Sequence, residues 1–460
     1  MKKLVVISLT LFIFTVSSCG TEPSATTKPA LLTGTFPPPV ETNTCTVTPI
    51  EPTILPTETS IPTATTIPPT PLPATDTVCA SGCDFTTIQS AIDAGGKIIE
   101  ITDPVHTEAG IVVNEGMTVT IRGLGADSTI VQAHEMLDGS PERVFLIMAG
   151  ADVALEEMTI RHGRPSVDDE HGGGIMNYGT LTVQNCIISD NSARGGGGVD
   201  NRQGMLTIIG STIRNNVARG DGPRGIECCG GGGVKCSSGT LQLINSTVVS
   251  NQAGIRSSGL GGGVCTGCGC TAEIINSTIS GNEAAKYGGG VSAMGTVQIT
   301  NSTISGNKAS SFGGGVSAAG VVRITSCTIT RNTVVGAGGA LWILGELSLE
   351  NTIIADNSGS NDCTIVREGS QVGSFAINQN NLIEDGSCNS AFSGDPKLIS
   401  LADNGGPTLT HALDPDSPAV DAIPATSCIL LTDQRGALRP FALFDPDTSC
   451  DIGAFELQND

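Results

Sequence analysis

The chain has 460 residues, and its 45 acidic and 23 basic side chains give a formal net charge of −22. This charge argues against nucleic acid or an anionic lipid surface as a partner, because both are themselves negative, while it favours solubility and leaves room for a bound cation such as Ca²⁺. Only 3% of the residues are aromatic and 60 are glycine, so we expect an aliphatic core between tight turns.

The first 18 residues have the features of a secretory signal peptide. Two lysines precede an apolar run over residues 4–16, which is too short to span a bilayer comfortably. The run leads into Val-Ser-Ser-Cys, which resembles the bacterial lipobox, where the cysteine is lipidated and becomes the mature N-terminus. This interpretation predicts a lipid on Cys19 and attachment to the outer face of a bacterial membrane. An ordinary secretory signal cleaved nearby is the alternative.

Residues 19–77 are rich in threonine and proline, and 13 of the 24 prolines of the chain fall here. The segment has too few large apolar side chains to fold and should adopt extended, polyproline-like conformations. At about 3.1 Å per residue its reach is on the order of 180 Å, enough to lift a domain off a membrane through a wall layer. We therefore predict a disordered stalk.

Folded structure is predicted from residue 78. Residues 84–96 begin with a polar side chain, end in glycine and carry apolar residues at helical spacing, namely Phe85, Ile88, Ala91 and Ile92. This pattern predicts a short amphipathic helix. The repeats that follow would expose core and strand edge at their first unit, so we expect the helix to plug that end.

The middle of the chain is a repeat marked by asparagines at Asn191, Asn216, Asn251, Asn282, Asn307, Asn332 and Asn357. The steps between them are 25, 35, 31, 25, 25 and 25 residues, a period typical of solenoids. Apolar residues alternate over short spans, which indicates strands. An earlier asparagine interrupts the alternation in most units, as expected of a sharp left-handed corner, and stands at Asn185, Asn245, Asn276, Asn301 and Asn351.

Two apolar rows precede that corner by four and two residues, and a third follows it. Stacked parallel strands would bury these rows as a core, and a glycine triplet would turn the chain into each new coil. The pattern, with its NSTISGN and GGGV elements, resembles the right-handed parallel β-helix of pectin-lyase-like proteins and the repeats of polymorphic outer-membrane proteins. The resemblance implies an all-β, single-stranded right-handed parallel β-helix over residues 78–394, with about 25 residues per coil. It implies little about function, because this fold hosts lyases, hydrolases, adhesins and inert stalks.

Residues 395–460 differ in sequence pattern from the repeats that precede them. The stretches DPKLISLADNGGPTLTHALDPDSPAVDA, TDQRGALRP and CDIGAFE resemble the C-terminal part of choice-of-anchor Q domain proteins, in which a variable surface-sorting signal normally follows. Here the sequence stops four residues after the last stretch. We expect the lipid on Cys19 to supply the anchor instead, and we expect this segment to close the β-helix.

Sixteen cysteines in a chain with an export signal predict an oxidising compartment and disulfides. Local pairs suggest themselves as Cys79 with Cys83, Cys363 with Cys388, and Cys428 with Cys450. Six more lie in two consecutive coils and could bridge them, namely Cys228, Cys229, Cys236, Cys265, Cys268 and Cys270. Zinc is the alternative for these six, but adjacent cysteines make awkward ligands. Cys186 and Cys327 lie too far apart to pair and are expected to be buried thiols.

Charged candidates for catalysis are few. Polysaccharide lyases of the fold carry calcium-binding carboxylates and a basic residue on one outward face, and only Asp200, Arg202 and Lys235 could imitate them. One carboxylate is too few for a Ca²⁺ site of six to eight oxygens, so a solvated ion-pair cluster is the alternative. The loop over residues 161–171 holds two histidines and three carboxylates, which could bind a metal, perform acid–base chemistry or simply be solvated.

Aromatic candidates for ligand binding are also few. Trp342 is the only tryptophan and is predicted to point outward, either where a sugar could stack or sheltered under the C-terminal segment. Tyr287 and Phe312, one coil apart before their glycine triplets, could form another platform. We therefore expect a monomeric, non-enzymatic β-helix for adhesion or binding of extracellular polysaccharide at the cell surface. The alternative is a polysaccharide lyase or glycoside hydrolase, which would need more charged residues on rigid strands.

Overall fold

The computed structural model describes residues 74–166, 171–220, 230–254, 259–368, 371–440 and 449–458. The predicted signal peptide, Cys19 and almost all of the predicted stalk lie outside these residues, as do Cys228, Cys229 and the three carboxylates of the loop over residues 161–171. Among the described residues, no helix combines the length and the apolar character that crossing a bilayer requires.

The first strand spans Thr75–Val78, so the folded chain begins at residue 75 rather than at the predicted residue 78. The predicted helix follows at Ile88–Asp93, where the Thr87 side chain caps it by accepting a hydrogen bond from the Ser90 backbone N–H at 3.2 Å. Its apolar face is buried in the main core, beside Val78, through Ile88, Ala91 and Ile92. The helix therefore covers the first coil, as predicted.

The largest sheet has 19 strands in two columns that run along the stack of coils. Most strands of the first column begin directly after a glycine triplet. The column contains Ile111–Val113, Phe145–Ile147, Ile175–Asn177, Val199–Ile209, Val234–Ile244, Val264–Ile275, Val291–Ala293, Val316–Ala318, Leu341–Ile343 and Cys363–Ile365. The second column contains Thr75–Val78, Ile98–Ile101, Thr118–Arg122, Asp152–Glu156, Thr180–Gln184, Thr296–Thr300, Val321–Thr325, Glu346–Glu350 and Ser374–Gln379. The three longest strands continue from the first column into the second and join them.

Two smaller parallel sheets complete the coils. The second sheet has 11 strands, Val105–Thr107, Ile130–Gln132, Thr159–Arg161, Ile187–Ser189, Thr212–Arg214, Thr247–Val249, Thr278–Ser280, Thr303–Ser305, Thr328–Thr330, Ile353–Ala355 and Leu382–Ile383. The third has six, Ser192–Ala193, Val217–Ala218, Gln252–Ala253, Glu283–Ala284, Lys308–Ala309 and Thr333–Val334. An antiparallel pair, Arg367–Glu368 with Gln371–Val372, and two 3-10 helices, Ser387–Asn389 and Ala425–Ser427, are the remaining elements.

Identical repeat positions stack in register, so that Val291 pairs with Val316 and Val316 with Leu341. The predicted apolar rows are buried in one continuous core, and their removal from water is the main stabilising contribution to the fold. The predicted all-β parallel β-helix is thus confirmed. It has about 11 turns of about 27 residues, slightly more than the predicted 25, because several coils carry insertions.

Both asparagines of the repeat have structural roles. The predicted corner asparagines have φ between 47° and 53°, as a left-handed corner requires, at Asn185, Asn245, Asn276, Asn301 and Asn351. The other asparagine forms a buried ladder from Asn191 to Asn357. Each Nδ2 donates to the Oδ1 of the next asparagine at 2.9–3.0 Å and also to a backbone carbonyl. The ladder therefore satisfies amides that would otherwise be buried without partners.

The C-terminal segment packs along the side of the β-helix, against the outer face of the second sheet. Three threonines from successive coils bond to it: the Thr278 and Thr303 hydroxyls donate to the Leu409 carbonyl and the Gln434 side chain, and Thr328 Oγ1 accepts from the Ala454 N–H. A second apolar cluster joins the sheet and the segment, formed by Ile353, Ala355, Leu382, Leu413, Ala419, Ile423, Cys450, Ile452 and Phe455. The expectation that this segment closes the end of the helix is therefore corrected, because its apolar side chains find their partners on the lateral face.

The motifs of the C-terminal segment form its own buried framework. Arg439 and Glu456, both 2% exposed, are paired at 3.1 Å. Burial raises the pKa of Glu456 to about 8, although Arg439 works in the opposite direction. Arg435 pairs with Asp433 at 2.7 Å and lies over the Phe455 ring at 3.6 Å. These residues of the TDQRGALRP and CDIGAFE stretches therefore serve to fold the segment.

The predicted local disulfides are present, together with one bridge between adjacent coils: Cys79–Cys83, Cys363–Cys388, Cys428–Cys450 and Cys236–Cys270. Cys265 is also disulfide-bonded. Cys268 was expected in a disulfide but is a free, exposed thiol. The reason is a register shift opposite residues 236–238, which leaves one extra residue in the neighbouring strand and turns Cys268 to solvent.

Cys186 and Cys327 are buried free thiols, as expected. Burial raises the pKa of both to about 12. Each thiol donates to the carbonyl two residues earlier, at 3.3 Å. In four other coils a serine hydroxyl makes the same bond, at Ser211, Ser246, Ser277 and Ser302, so these cysteines act as replacements for a structural serine.

Candidate functional site

The strongest charged cluster surrounds Asp200, which is fully buried in the first column of strands. Lys235 is its in-register neighbour on the next coil, and Arg202 lies two residues along the same strand. Asp200 Oδ2 is 3.3 Å from Arg202 Nε, 3.6 Å from Lys235 Nζ and 3.2 Å from His171 Nδ1. The structure therefore unites the three strand candidates with a histidine that the sequence suggested separately.

His171 reaches this cluster because it directly precedes a glycine triplet. Residues in that position form a column of their own, in which His171 is followed by Gly195. A Cβ at Gly195 would lie only 3.0 Å from Lys235 Nζ and 3.1 Å from His171 Nδ1. The glycine at position 195 leaves room for the side chains of His171 and Lys235 to converge. The position that His171 and Gly195 share, directly before a glycine triplet, is the sequence signal that could have predicted this contact.

Among the described residues, the cluster is an ion-pair network around the carboxylate of Asp200. Burial opposes ionisation of Asp200, but Lys235, His171 and Arg202 outweigh it and hold the pKa of the carboxyl below its usual range. Within the described ranges no three histidine, cysteine, aspartate or glutamate side chains are grouped so as to hold a metal ion. The other loop histidine, His162, instead bonds the His134 carbonyl at 2.9 Å. The described part of the cluster thus offers an oriented, fixed charge and lacks a second carboxylate for acid–base chemistry.

The aromatic candidates form one cluster rather than two platforms. The ring centroids are 5.7 Å apart for Tyr287 and Phe312, 5.0 Å for Phe312 and Trp342, and 5.8 Å for Tyr287 and Trp342. The planes differ by only 10–20°, and all three side chains are half-buried. Lys286 Nζ lies 4.8 Å from the Tyr287 ring. Trp342 is therefore sheltered by its aromatic neighbours, whereas the contacts of the C-terminal segment lie on the second sheet.

Both clusters lie on the same edge of the β-helix. The column before the glycine triplets runs from His171 through Gly195, Gly230 and Leu260 to Tyr287. At about 4.8 Å per coil, the four steps place His171 and Tyr287 about 19 Å apart along the stack. The edge thus carries a charged cluster at one position and an aromatic cluster a few coils further on.

Comparison with known proteins supports the fold. A family model for the right handed beta helix region matches residues 93–264. The crystal structure of pectate lyase Pel9A aligns with a TM-score of 0.52 at 16% identity, covering 81% of this chain and 91% of that one. No curated protein sequence matches the chain. The protein thus has a right-handed parallel β-helix fold like that of this pectate lyase, and at this identity the likeness concerns the fold alone.

Proposed function

We propose that this protein is a non-enzymatic binding rod that holds extracellular polysaccharide at the cell surface. The aromatic cluster of Tyr287, Phe312 and Trp342 carries the proposal. Its rings are half-buried and nearly parallel, and the stack holds them in place without a ligand. Rigid aromatic side chains supply contact area at a low entropic cost, so they suit the apolar face of a sugar ring.

The second part of the proposal is the location. The lipobox-like sequence supports export and a lipid on Cys19, with the threonine- and proline-rich stalk between lipid and β-helix. Nine described cysteines are disulfide-bonded, which agrees with an oxidising compartment. The resemblance of the C-terminal segment to choice-of-anchor Q proteins supports a surface role as well.

A polysaccharide lyase or glycoside hydrolase is the second candidate, and the Asp200 cluster is the observation that favours it. A pectate lyase shares the fold, and lyases of this fold use a basic residue beside carboxylates. Against this candidate, the described residues place a single carboxylate at the cluster and surround it with His171, Arg202 and Lys235. Binding needs no cofactor, whereas a Ca²⁺ requirement would favour the enzyme.

The proposal is tested by incubating the purified protein with a panel of neutral and acidic polysaccharides and measuring both retention and product release. We expect retention without products, and at least about tenfold weaker retention for Trp342→Ala. Phe392→Ala, which removes an aromatic side chain 39% exposed on the last coil, is the control and should bind normally.

Two results would refute the proposal. Equal retention for Trp342→Ala and Phe392→Ala would show that the aromatic cluster does not contribute to polysaccharide binding. Release of cleaved products that is lost in Lys235→Met, with binding retained, would establish the enzyme instead.

A further inference from the structure

The last coil of the β-helix forms an open cavity of about 570 Å³ at its surface. Its walls come from the strands Cys363–Ile365 and Ser374–Gln379, from the antiparallel pair beginning at Arg367, and from the 3-10 helix Ser387–Asn389. The volume is in the range of sites that take small organic ligands. This cavity lies several coils from the Asp200 cluster and one coil beyond Trp342, whose in-register partner Thr364 lines it. The small ligand proposed for it does not depend on the function proposed above.

The floor of the cavity is apolar. Ile365, Phe375 and Cys388 pack against the main core but are only partly buried, so the core reaches the surface here. The first coil differs, because there the helix Ile88–Asp93 covers the core. The disulfide between Cys363 and Cys388 ties the two walls together. A preformed apolar surface of this kind favours a ligand with an apolar body.

The rim carries a positive charge for which the described residues supply no partner. Arg367 lines the cavity and is exposed, and among the described residues its guanidinium has neither an ion pair nor a hydrogen bond. Several other arginines of the described β-helix pair with a carboxylate, as Arg331 does with Asp356 at 3.7 Å. In a chain with a net charge of −22, an arginine without a carboxylate partner is suited to an anion from outside.

Two carboxylates near the cavity, those of Asp385 and Asp362, are occupied elsewhere. Asp385 accepts hydrogen bonds from the backbone N–H groups of Asp362 and Ser387 at 2.8 and 2.9 Å. Asp362 accepts from Asn357 Nδ2 at 3.1 Å. Neither residue lines the cavity, so Arg367 is the charged lining residue, beside the hydroxyl of Ser374 and the amide of Asn389.

We propose that this cavity binds a small organic monocarboxylate with an apolar body. The carboxylate receives hydrogen bonds from the guanidinium of Arg367, whose planar fork matches it in a bidentate manner. The apolar body lies on Phe375, Ile365 and the disulfide. Recognition therefore needs both the charge and the apolar part of the ligand.

Phenylacetate and its uncharged isostere phenylacetamide test the proposal, with binding to the purified protein measured by ligand-observed NMR titration. We expect phenylacetate to bind at least about tenfold more tightly than the amide. Arg367→Gln should abolish this preference. Arg323→Gln is the matched control, because Arg323 is an exposed arginine on the strand Val321–Thr325, away from the cavity, and it should leave the preference unchanged.

A second variant and a third ligand complete the test. Ser374→Trp, which fills the cavity from an exposed position, should remove binding of phenylacetate and phenylacetamide alike. The proposal is overturned by equal binding of acid and amide, by an Arg367→Gln variant that keeps the preference, by unchanged binding in Ser374→Trp, or by no binding of phenylacetate at millimolar concentration. Galacturonate that binds as tightly as phenylacetate would also overturn it, because the apolar floor would then play no part.

Discussion

Replacing Asn307 by alanine should destabilise the β-helix more than almost any other single change in the repeat. Asn307 is fully buried in the middle of the asparagine ladder. Its Nδ2 donates to the Ile279 carbonyl at 3.0 Å and to Asn332 Oδ1 at 2.9 Å. Its Oδ1 accepts from the backbone N–H and the Nδ2 of Asn282, at 3.0 and 2.9 Å. One side chain therefore joins three consecutive coils.

The magnitude follows from what each partner keeps after the substitution. Asn282 Nδ2 still donates to the Val248 carbonyl, and Asn332 Oδ1 still accepts from the backbone of residue 307. The Asn282 backbone N–H loses its acceptor and becomes a buried unpaired donor. Such a donor costs about 1–3 kcal/mol, and three further lost bonds at roughly 0.5–1.5 kcal/mol each bring the expected loss to about 3–7 kcal/mol.

The assay is guanidinium-induced unfolding with the disulfides intact, followed by circular dichroism, with hydrogen exchange to locate the opening. Lys308→Ala is the matched control, because Lys308 is the next residue, is exposed and forms only a surface ion pair with Glu283 at 3.0 Å. Its loss should cost below about 1 kcal/mol. If Asn307→Ala costs no more than Lys308→Ala, the ladder does not stabilise the fold and the argument fails.

Three further predictions concern other parts of the chain. Cys327→Ser should leave the unfolding midpoint nearly unchanged, since Ser302 makes the equivalent bond one coil earlier at 2.7 Å, whereas Cys327→Val should lower it by the loss of that bond; equal effects would contradict this. Burial, with smaller repulsion from Asp385, raises the pKa of Asp362 to about 6, above its value of 3.8 in the unfolded chain. Stability should therefore fall as pH rises from about 4 to about 6, and Asp362→Asn should flatten that part of the pH profile of unfolding; an unchanged profile would be evidence against it. Cys19→Ala should release the protein from the membrane fraction, as measured by fractionation, and a variant that stays bound would exclude the lipid anchor.

The repeating part of the fold could be predicted because each coil contacts only its neighbours. Corner asparagines such as Asn276 and Asn301, with φ of 49° and 47°, occupy the same position in most units, and the apolar rows before them share the strand period of two. The same local logic identified the helix Ile88–Asp93 and the bridge Cys363–Cys388. The sequence did not predict that the second asparagine of each unit forms a buried ladder, since asparagines in a buried ladder and asparagines at surface corners recur at the same spacing.

The candidate sites depended on contacts that the repeat does not encode. His171 and Asp200 lie in different coils, and insertions obscure the position that His171 shares with Tyr287 before the triplets. The ring centroids of Trp342 and Tyr287 are 5.8 Å apart although the two residues lie two coils apart, and strand alternation alone does not predict such a contact.

By itself, the sequence determined the coil period, the strands and their inward side chains, because those depend on alternation, glycine and asparagine over short spans. Only the tertiary structure decided where the C-terminal segment lies. Its Gln434 bonds Thr278 and Thr303, residues more than a hundred positions earlier. The stacked row of threonines in the second sheet, to which Thr278 and Thr303 belong, continues into coils to which no described residue of the segment is hydrogen-bonded. The sequence pattern alone therefore could not select the docking face. That choice rests on the match between the segment and the apolar outer surface around Ile353, which exists only once the coils have stacked.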